Sequence, residues 1–272
     1  MTRPFAQELT PNLLAKSEAQ RVSLAPLLHS FEPTSLDQMK DVRLMNRTDT
    51  KFILPLQRLT PLLQSLISHY RLLQINGESL LDYQTLYLDT PGVEMYRRHH
   101  DQRVNRFKVR ARTYLQSRMS FLEVKRKTNK GRTLKKRIEI ETPHDALHLE
   151  NDSWLRRTSP YAASDLQPSL QNKFSRLTLV DHALTERITI DLAIAWQQTV
   201  ENDSPWFRGL SEYCVLELKR GLQAGPSFSL SSLREQRIRP SSFSKYCVGT
   251  ALLNPQLKQN RFKPLLRKLS SL

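Results

Sequence analysis

The sequence has little cysteine and no long apolar segment. Its only cysteines, Cys214 and Cys247, lack CxxC spacing and nearby histidines, so neither a zinc site nor a disulfide framework is indicated. No stretch approaches the roughly 18 to 20 apolar residues that cross a bilayer. Charged residues and prolines also interrupt the N-terminus before an apolar run could reach signal-peptide length. We therefore expect a cytoplasmic protein, or one held peripherally at the inner face of the membrane.

Acidic residues are also scarce relative to basic ones. The chain has 42 Lys and Arg against 26 Asp and Glu, a formal net charge of +16. Such an excess predicts an anionic partner, but it does not choose among nucleic acid, an acidic membrane surface and a small polyanion. At 272 residues the chain is long enough for one domain of catalytic size. We predict a helical lead-in over 1–40, one domain over 41–252 and a basic tail over 253–272.

Alternating patterns predict an α+β fold dominated by an antiparallel sheet. The first strand spans 46–54, and a helix then opens with Thr60 as its N-cap within an amphipathic segment over 59–73. A strand over 83–90 is followed by a short helix that reaches His100. Further predicted strands span 104–115, 120–128, 132–142, 173–181, 185–196 and 213–220, with helix and loop over 143–170. This succession of strands predicts a barrel or a curved sheet.

Cations occupy one face of these strands. Side chains alternate along a strand, so Arg106, Lys108, Arg110 and Arg112 share a face, opposite Val109 and its apolar neighbours. The other strands give the sets Arg47, Asp49 and Lys51; Glu123, Lys125 and Lys127; Lys135, Arg137, Glu139 and Glu141; Arg187 and Asp191; and Glu217 and Lys219. On a single strand this pattern is typical of an ordinary solvated face. Repeated over six strands it would produce strong repulsion, which favours an anion-binding surface.

Two geometries fit such a surface. A flat basic sheet could take nucleic acid, whereas a closed barrel would point its charges inward and bury its outer apolar faces under helices. The amphipathic segment 59–73 favours the barrel, because it needs an apolar partner. A nucleic-acid surface would also interleave stacking aromatics with its cations, and only Tyr114 and Phe121 share a charged face here. Enclosed charges need pairing or a ligand, and the scattered carboxylates could pair with cations or hold a hard divalent ion.

The motifs on these strands resemble one known family. They are RTDTKF at 47–52, LYLDTP at 86–91, NRFKVRARTY at 105–114, FLEVKRKTNKGRTLKKRI at 121–138, ERITID at 186–191, VLELKR at 215–220 and SFSKY at 242–246. In this order they resemble the VTC domain, of the triphosphate tunnel metalloenzyme or CYTH-like superfamily. That resemblance implies an antiparallel β-barrel with a basic interior and flanking helices. It also implies a transferase like the eukaryotic members, which polymerise polyphosphate from ATP.

The resemblance also implies roles for particular residues. The catalytic phosphate contacts would be Lys51, Arg110, Arg112, Lys127, Lys135, Arg176, Arg187 and Lys245. Further phosphate-binding residues would be Arg47, Lys108, Lys125, Arg137, Lys219 and Ser244. Glu217 would hold one Mn²⁺ or Mg²⁺. The expected partners are ATP or another triphosphate and polyphosphate rather than nucleic acid. Peripheral association with a membrane protein partner and the oligomeric state stay open, as does the register of Lys125 against Lys127.

One departure from the superfamily pattern bears on the reaction. Many tunnel hydrolases begin with Glu-x-Glu-x-Lys, whereas this chain has Arg47-Thr-Asp49-Thr-Lys51, so a cation replaces one of two acids. The replacement weakens metal binding there and favours phosphate transfer over hydrolysis. A triphosphate hydrolase (tripolyphosphatase or NTPase) on the same fold and a non-catalytic module for polyphosphate or inositol phosphates remain the alternatives. A third alternative is a nucleic-acid binder.

Two local motifs admit a chemical or a structural interpretation. His99 and His100 could bind a metal, but with no third ligand in view a surface or packing role is favoured. The pair Ser244 and Lys245 could act as a catalytic dyad, but the family pattern favours an anion contact.

Overall fold

A single antiparallel sheet organises the chain, and helices cover it. The computed structural model describes residues 7–8, 22–41, 47–199, 206–208, 210 and 212–270. The strands are β1 (Gln7–Glu8), β2 (Glu32–Thr34), β3 (Arg47–Pro55), β4 (Tyr70–Leu73), β5 (Leu81–Asp89), β6 (Arg106–Tyr114), β7 (Met119–Lys127), β8 (Thr133–Ile140), β9 (Gln167–Asp181), β10 (Glu186–Gln198), β11 (Phe207–Arg208) and β12 (Tyr213–Gly221). The helices are α1 (22–29), α2 (Leu59–Leu66), α3 (Glu94–His100), α4 (Leu149–Thr158), α5 (Phe228–Glu235), α6 (Lys245–Leu253) and α7 (Lys263–Ser270).

The long strands follow the order β3-β12-β10-β9-β5-β6-β7-β8, and every neighbouring pair is antiparallel. Strand β4 also pairs with β9 in antiparallel fashion, and β2 pairs with β4 in parallel. The predicted α+β class with a large antiparallel sheet and flanking helices is confirmed. Among the described strands, pairing does not join β3 to β8, so the sheet is barrel-like without being closed by backbone hydrogen bonds.

Side-chain contacts show that the sheet is strongly curled. Lys51 on β3 and Lys108 on β6 lie five strand intervals apart in the sheet order, which in a flat sheet means about 24 Å. Yet the Lys51 ammonium donates to the carbonyl of Phe243 at 2.8 Å, and that of Lys108 donates to the hydroxyl of the next residue, Ser244, at 2.7 Å. Both strands therefore face the same segment of chain, and the sheet has a concave side.

Helices cover the convex side. The outward residues of β3, β9, β10 and β12 form one apolar cluster with α1, α2 and α5, in which the four leucines of α2 are fully buried. Along β5, β6 and β7 the outward side chains pack instead against α4 and the 3-10 turn Pro143–Leu147. Burying these faces is the main driving force for the fold, and it fixes the register of each strand.

Helix α6 packs on the concave side. Its residues Tyr246–Leu253 are all buried, and a helix that is apolar all round belongs in a core. The hydroxyl of Ser244 caps the helix by accepting from the amide of Cys247 at 3.3 Å. Gly249 lies so close to Trp196 on β10 that an added Cβ would stand 2.2 Å from the indole. Strand β10 therefore fixes where helix α6 begins.

Several predicted boundaries were wrong. Helix α2 begins at Leu59 and has Arg58 at its N-cap position without a side-chain cap, so Thr60 is not the cap. Burial of its leucines decides the start instead. The helix ends at Leu66, and the rest of the segment 59–73 includes strand β4. Strand β9 starts at Gln167 rather than 173, which shortens the predicted helix and loop over 143–170.

The lead-in and the tail are described in part. Of the predicted lead-in over 1–40, the described residues give β1, α1, β2 and the start of a 3-10 turn, and the remainder lies outside the described residues. The tail carries helix α7, whose buried Leu266 joins the core. None of the helices in the described ranges has the length and apolar content needed to span a membrane.

Candidate anion-binding cleft

The concave face gathers the cations that strand alternation placed on one side. We call this surface the basic cleft; it is lined by Lys51, Lys108, Arg110, Arg112, Lys125, Lys135, Arg176, Arg187, Lys219 and Lys245. The deepest members are nearly inaccessible, since Arg110 is 8% and Arg112 is 6% exposed. Three groups of ion pairs organise the cleft, and each is centred on an acid.

The first group surrounds Glu123 on β7. This carboxylate is fully buried and accepts from Arg110 on β6 at 2.7 Å and 2.6 Å, while Lys135 on β8 forms an ion pair with it. Burial alone would raise the pKa of Glu123, but Arg110, Arg112 and Lys135 hold it below its usual range. Glu123 therefore stays ionised and keeps the two cations in fixed positions.

The second group surrounds Asp191 on β10. Arg176 on β9 makes a bidentate contact to this carboxylate at 2.5 Å and 2.9 Å, and Lys245 at the start of α6 forms a third hydrogen bond to it. Burial, Arg176 and Arg112 lower the pKa of Lys245 to about 7, although Asp191 opposes them. A single carboxylate therefore serves both Arg176 and Lys245.

The third group surrounds Glu217 on β12. Lys219 forms an ion pair with Glu217, and the Lys51 ammonium lies 3.8 Å from its other oxygen. Asp49 on β3 is 3.9 Å from Lys219 and 2.9 Å from Arg47. Burial would raise the pKa of Glu217, but Lys219 and Lys51 bring it well below its usual range. Its oxygens are thus already in contact with positive charge.

Four cleft cations have no carboxylate within ion-pair distance in the part of the chain that the structure describes. One of them, Lys108, donates instead to the Ser244 hydroxyl at 2.7 Å. Arg112 contacts the Thr85 hydroxyl at 3.3 Å and lies 5.6 Å from the ring centroids of Tyr83 and Phe174. Burial, Arg110 and Arg176 lower its pKa to about 10. The other two, Lys125 and Arg187, are described next.

Lys125 and Arg187 occupy opposite parts of the cleft. The repulsion of Arg110, followed by burial and Arg112, brings the pKa of Lys125 well below its usual value. Burial, Arg47 and Arg176 lower the pKa of Arg187, whose Nε has no hydrogen-bond partner among the described residues. In each part of the cleft, neighbouring arginines thus destabilise the charged form of the residue. An anion bound in the cleft would relieve this repulsion and would be strongly stabilised.

The remaining predicted phosphate contacts lie at the rim. Lys127 shares the inward face with Lys125, one step nearer the hairpin, and it bonds the carbonyl of Gly131. Arg137 on the edge strand β8 is exposed and lies 4.4 Å from the ring centroid of Phe121. The carboxylates Glu139 and Glu141, which the sequence offered as cleft acids, are exposed at this edge.

The two histidines pack rather than form a metal site with a third ligand. Burial, Lys108 and Arg106 lower the pKa of His99 to about 2, so its ring is neutral. His100 is buried, pairs with Asp101 at 2.9 Å and packs edge-on against Phe262. Throughout the described ranges no group of three or more His, Cys, Asp or Glu is arranged to hold a metal.

The donor set fits only one kind of divalent-ion site. Mg²⁺ and similar hard ions are commonly held by one or two carboxylates and by the phosphates of a substrate, rather than by a cage made of protein. Glu217 can supply one carboxylate on the inner face, close to cations that bind phosphate. The residues therefore fit an ion that arrives with a phosphate ligand.

Some residues that position the cleft were missed by sequence reasoning. Asp89, in the LYLDTP motif, accepts from the amides of Thr90, Met95 and Tyr96 at the start of α3. The Tyr246 hydroxyl donates to the same buried carboxylate and so links α6 to α3. An acid followed by Thr-Pro-Gly is a usual helix-start signal that could have identified Asp89. Trp196, which donates to the carbonyl of Lys245 at 2.9 Å, had no such signal.

Together, the curled antiparallel sheet and its flanking helices place the chain in the α+β class, with the basic cleft on the concave side of the sheet. The family model of the VTC domain matches residues 46–254, and the chain belongs to this family. No curated protein gives a match.

Solved structures resemble the chain at low sequence identity. A candidate adenylate cyclase from Bacillus halodurans is 12% identical with a TM-score of 0.46, covering 73% of this chain and 94% of its own. A candidate adenylyl cyclase from Hippeastrum with dominant triphosphatase activity is 15% identical, with a TM-score of 0.41 and coverages of 75% and 94%. The PH1819 protein from Pyrococcus horikoshii OT3 is 13% identical, with a TM-score of 0.41 and coverages of 77% and 97%. These likenesses are too weak to carry an argument about function.

Proposed function

We propose that this chain is a metal-dependent phosphotransferase that moves the γ-phosphate of ATP to a phosphate or polyphosphate acceptor within the basic cleft. One observation carries the proposal. Cations from three strands and the start of one helix, Arg112, Lys125, Arg187 and Lys245, have pKa values lowered by neighbouring cations, and a carboxylate pairs only with Lys245. Such an arrangement favours a ligand with several negative charges over one with a single charge.

The side chains have separable tasks in this reaction. Arg112, Arg176 and Lys245 lie together around the ring of Phe174 and would contact the phosphoryl group in transfer. Their side chains are held in place before the substrate arrives, so they can stabilise developing negative charge with little reorganisation. A bound Mn²⁺ or Mg²⁺ at Glu217 would neutralise phosphate charge and help to hold the triphosphate.

The start of strand β3 favours transfer over hydrolysis. Hydrolysis requires a group that orients and deprotonates water, and the superfamily pattern has an acid where this chain has Arg47. The nearby acid, Asp49, is engaged by Arg47 and Lys219. Neither position offers an uncommitted general base, whereas transfer to phosphate needs a well-placed anionic acceptor more than a base.

The direct test is to incubate the protein with ATP and Mn²⁺ and to size the products on a gel. A ladder of polyphosphate supports the proposal, while phosphate release without a ladder supports the triphosphate hydrolase. Arg112→Ala should lose the product with the fold retained, because no buried acid depends on Arg112 alone. Lys136→Ala, on the exposed face of β8, is the matched control.

Further measurements test the metal assignment and separate the remaining alternatives. Glu217→Gln should abolish metal dependence, and a fully active variant would contradict the metal assignment. Tight polyphosphate binding without turnover under any metal would indicate a binding module. Against a nucleic-acid partner, tripolyphosphate should displace a labelled polyphosphate better than an oligonucleotide at matched charge, and the reverse order would favour nucleic acid.

A further inference from the structure

Strand β10 carries two buried polar atoms that lack hydrogen-bond partners among the described residues. They are the hydroxyl of Thr189 and the Nε of Arg187. Thr189 is only 5% exposed. The two residues are separated by one position, so both side chains point to the concave face. Leaving a buried hydroxyl or N–H without a partner is unfavourable, and two on one face indicate that a ligand completes them.

Glu217 lies directly beside Thr189. The two residues are antiparallel partners on β10 and β12, so their side chains are on the same face of the sheet. Opposite residues in such pairs have Cβ atoms about 4.5–5.5 Å apart. The next pair along the ladder is Arg187 and Lys219. A carboxylate, a hydroxyl and a guanidinium are therefore held side by side by two buried strands.

The chemistry of this trio suits a metal ion joined to a phosphate. Carboxylate and hydroxyl oxygens are both hard ligands, and a Ser or Thr hydroxyl binds Mg²⁺ in the phosphate-binding loop of many nucleoside triphosphatases. A guanidinium N–H needs an acceptor, and phosphate oxygens are the acceptors that it prefers. Positive charge is already accepted at Glu217, because the Lys219 and Lys51 ammonium groups contact it.

We infer that Thr189 provides, through its hydroxyl, a second protein oxygen for the divalent ion at Glu217, and that Arg187 Nε donates to the phosphate that this ion carries. The inference rests on the proposed function for the presence of the ion. The added ligand is a hydroxyl oxygen rather than a carboxylate or an imidazole. With an ion held at Glu217, the Lys219 ammonium would be free to bind a phosphate oxygen instead.

The test measures Mn²⁺ affinity of the full chain from the electron paramagnetic resonance signal of free Mn²⁺, with the protein in excess over tripolyphosphate so that unbound tripolyphosphate does not chelate the metal. Thr189→Val keeps the shape and the β-branch but removes the oxygen, and it should weaken Mn²⁺ binding about tenfold or more. Thr189→Ser, which retains a hydroxyl, should stay within about threefold of the parent. Thr250→Val is the matched control, because Thr250 is also a buried threonine whose hydroxyl lacks a partner among the described residues, but it lies on α6.

Tripolyphosphate affinity in the presence of EDTA provides the second measurement. It should be the same in Thr189→Val and the parent, because the hydroxyl acts on the metal. Parental Mn²⁺ affinity in Thr189→Val overturns the inference. Equal losses with and without metal also overturn it, since they would make Thr189 a phosphate donor.

The same measurements separate this inference from the proposed function. If Glu217→Gln loses Mn²⁺ binding while Thr189→Val retains it, only the second ligand is wrong. If Glu217→Gln also binds Mn²⁺ like the parent, the metal site of the proposed function is wrong as well. A thermal unfolding curve for each variant checks that every protein compared is folded.

Discussion

Lys245 and Asp191 meet inside the sheet, where the ammonium of the first residue of α6 bonds a carboxylate on β10 that Arg176 already holds in a bidentate contact. The two residues are 54 positions apart in the chain. Their contact ties the position of the helix to the charge pattern of the cleft. Because Arg176 also serves Asp191, the carboxylate is not left unpaired when the lysine is removed.

Lys245→Ala should therefore lose activity without losing the fold. We expect the rate of ATP turnover to fall about 10²- to 10³-fold, the usual effect of removing one preorganised charge from a reaction site. The melting temperature should change little, because Arg176 continues to neutralise Asp191. Steady-state kinetics and thermal melting check both statements, and a variant that keeps more than a tenth of the parental rate would remove Lys245 from the catalytic group.

Binding of tripolyphosphate should take up protons. Burial, Arg110 and Arg112 lower the pKa of Lys135 to about 8, although Glu123 raises it, and that of Lys245 lies near 7. In the free protein both lysines are partly deprotonated between pH 7 and 9. A bound polyanion favours the charged form and raises both pKa values, so affinity should fall as pH rises through this window. Calorimetry in two buffers of different ionisation enthalpy measures the uptake.

Lys135→Arg provides the matched comparison for this effect. Arginine stays protonated at these pH values, so the variant should take up fewer protons when the ligand binds, while the ligand's own titration is unchanged. Lys136→Arg, on the exposed face of the same strand, should behave like the parent. Equal proton uptake in all three proteins would mean that Lys135 does not sense the bound anion.

The inward face of the cleft could be predicted from sequence, because strand alternation is a local property. Arg110 and Arg112 are buried on the concave side, where their spacing placed them. Contacts between distant segments could not be predicted in this way. Tyr246 and Asp89 are 157 positions apart and carry no shared pattern. The boundary at Leu59 was missed because packing of the α2 leucines outweighs the local cap signal at Thr60.

Acid partners were predictable as a class but not as pairs. The sequence placed several carboxylates on the charged faces of the strands, and of these Glu123, Asp191 and Glu217 pair with cations in the cleft. Glu139 lies on the same face of its strand as the cleft cations, but it is exposed because β8 is the edge strand. Parity assigns a side chain to a face, whereas its depth depends on what covers that face in three dimensions.

Glu123→Gln should destabilise the protein, because Glu123 is a buried acid surrounded by cations. The substitution removes the charge that holds Arg110 and Lys135, leaving Arg110 buried beside other cations. Breaking a buried pair in this way costs about 3–5 kcal/mol. Urea denaturation measures the loss, and added tripolyphosphate should restore part of it by replacing the missing negative charge.

Glu139→Gln is the control for that loss. Glu139 lies on the neighbouring strand but is exposed, so its unfolding free energy should stay within about 0.5 kcal/mol of the parent. A Glu123→Gln protein as stable as Glu139→Gln would show that the cations near Glu123 do not depend on it.

Gly249→Ala should change the position of Lys245 in the cleft, because it alters the packing of α6 against β10. An added methyl group would meet the Trp196 indole at 2.2 Å, and the same indole donates to the carbonyl of Lys245. Either the helix or the ring must move, and overpacking of this kind costs about 1–3 kcal/mol. Because the movement displaces Lys245 from Asp191, we expect a lower melting temperature and lower activity together.

Gly225→Ala separates this effect from a general consequence of replacing glycine. Nothing lies within 4 Å of a methyl group added at Gly225, so that variant should keep both its melting temperature and its activity. If Gly249→Ala melts lower but turns over ATP at the parental rate, the position of Lys245 does not depend on the contact with Trp196. In that case the ion pair with Asp191, rather than helix packing, sets the lysine's place in the cleft.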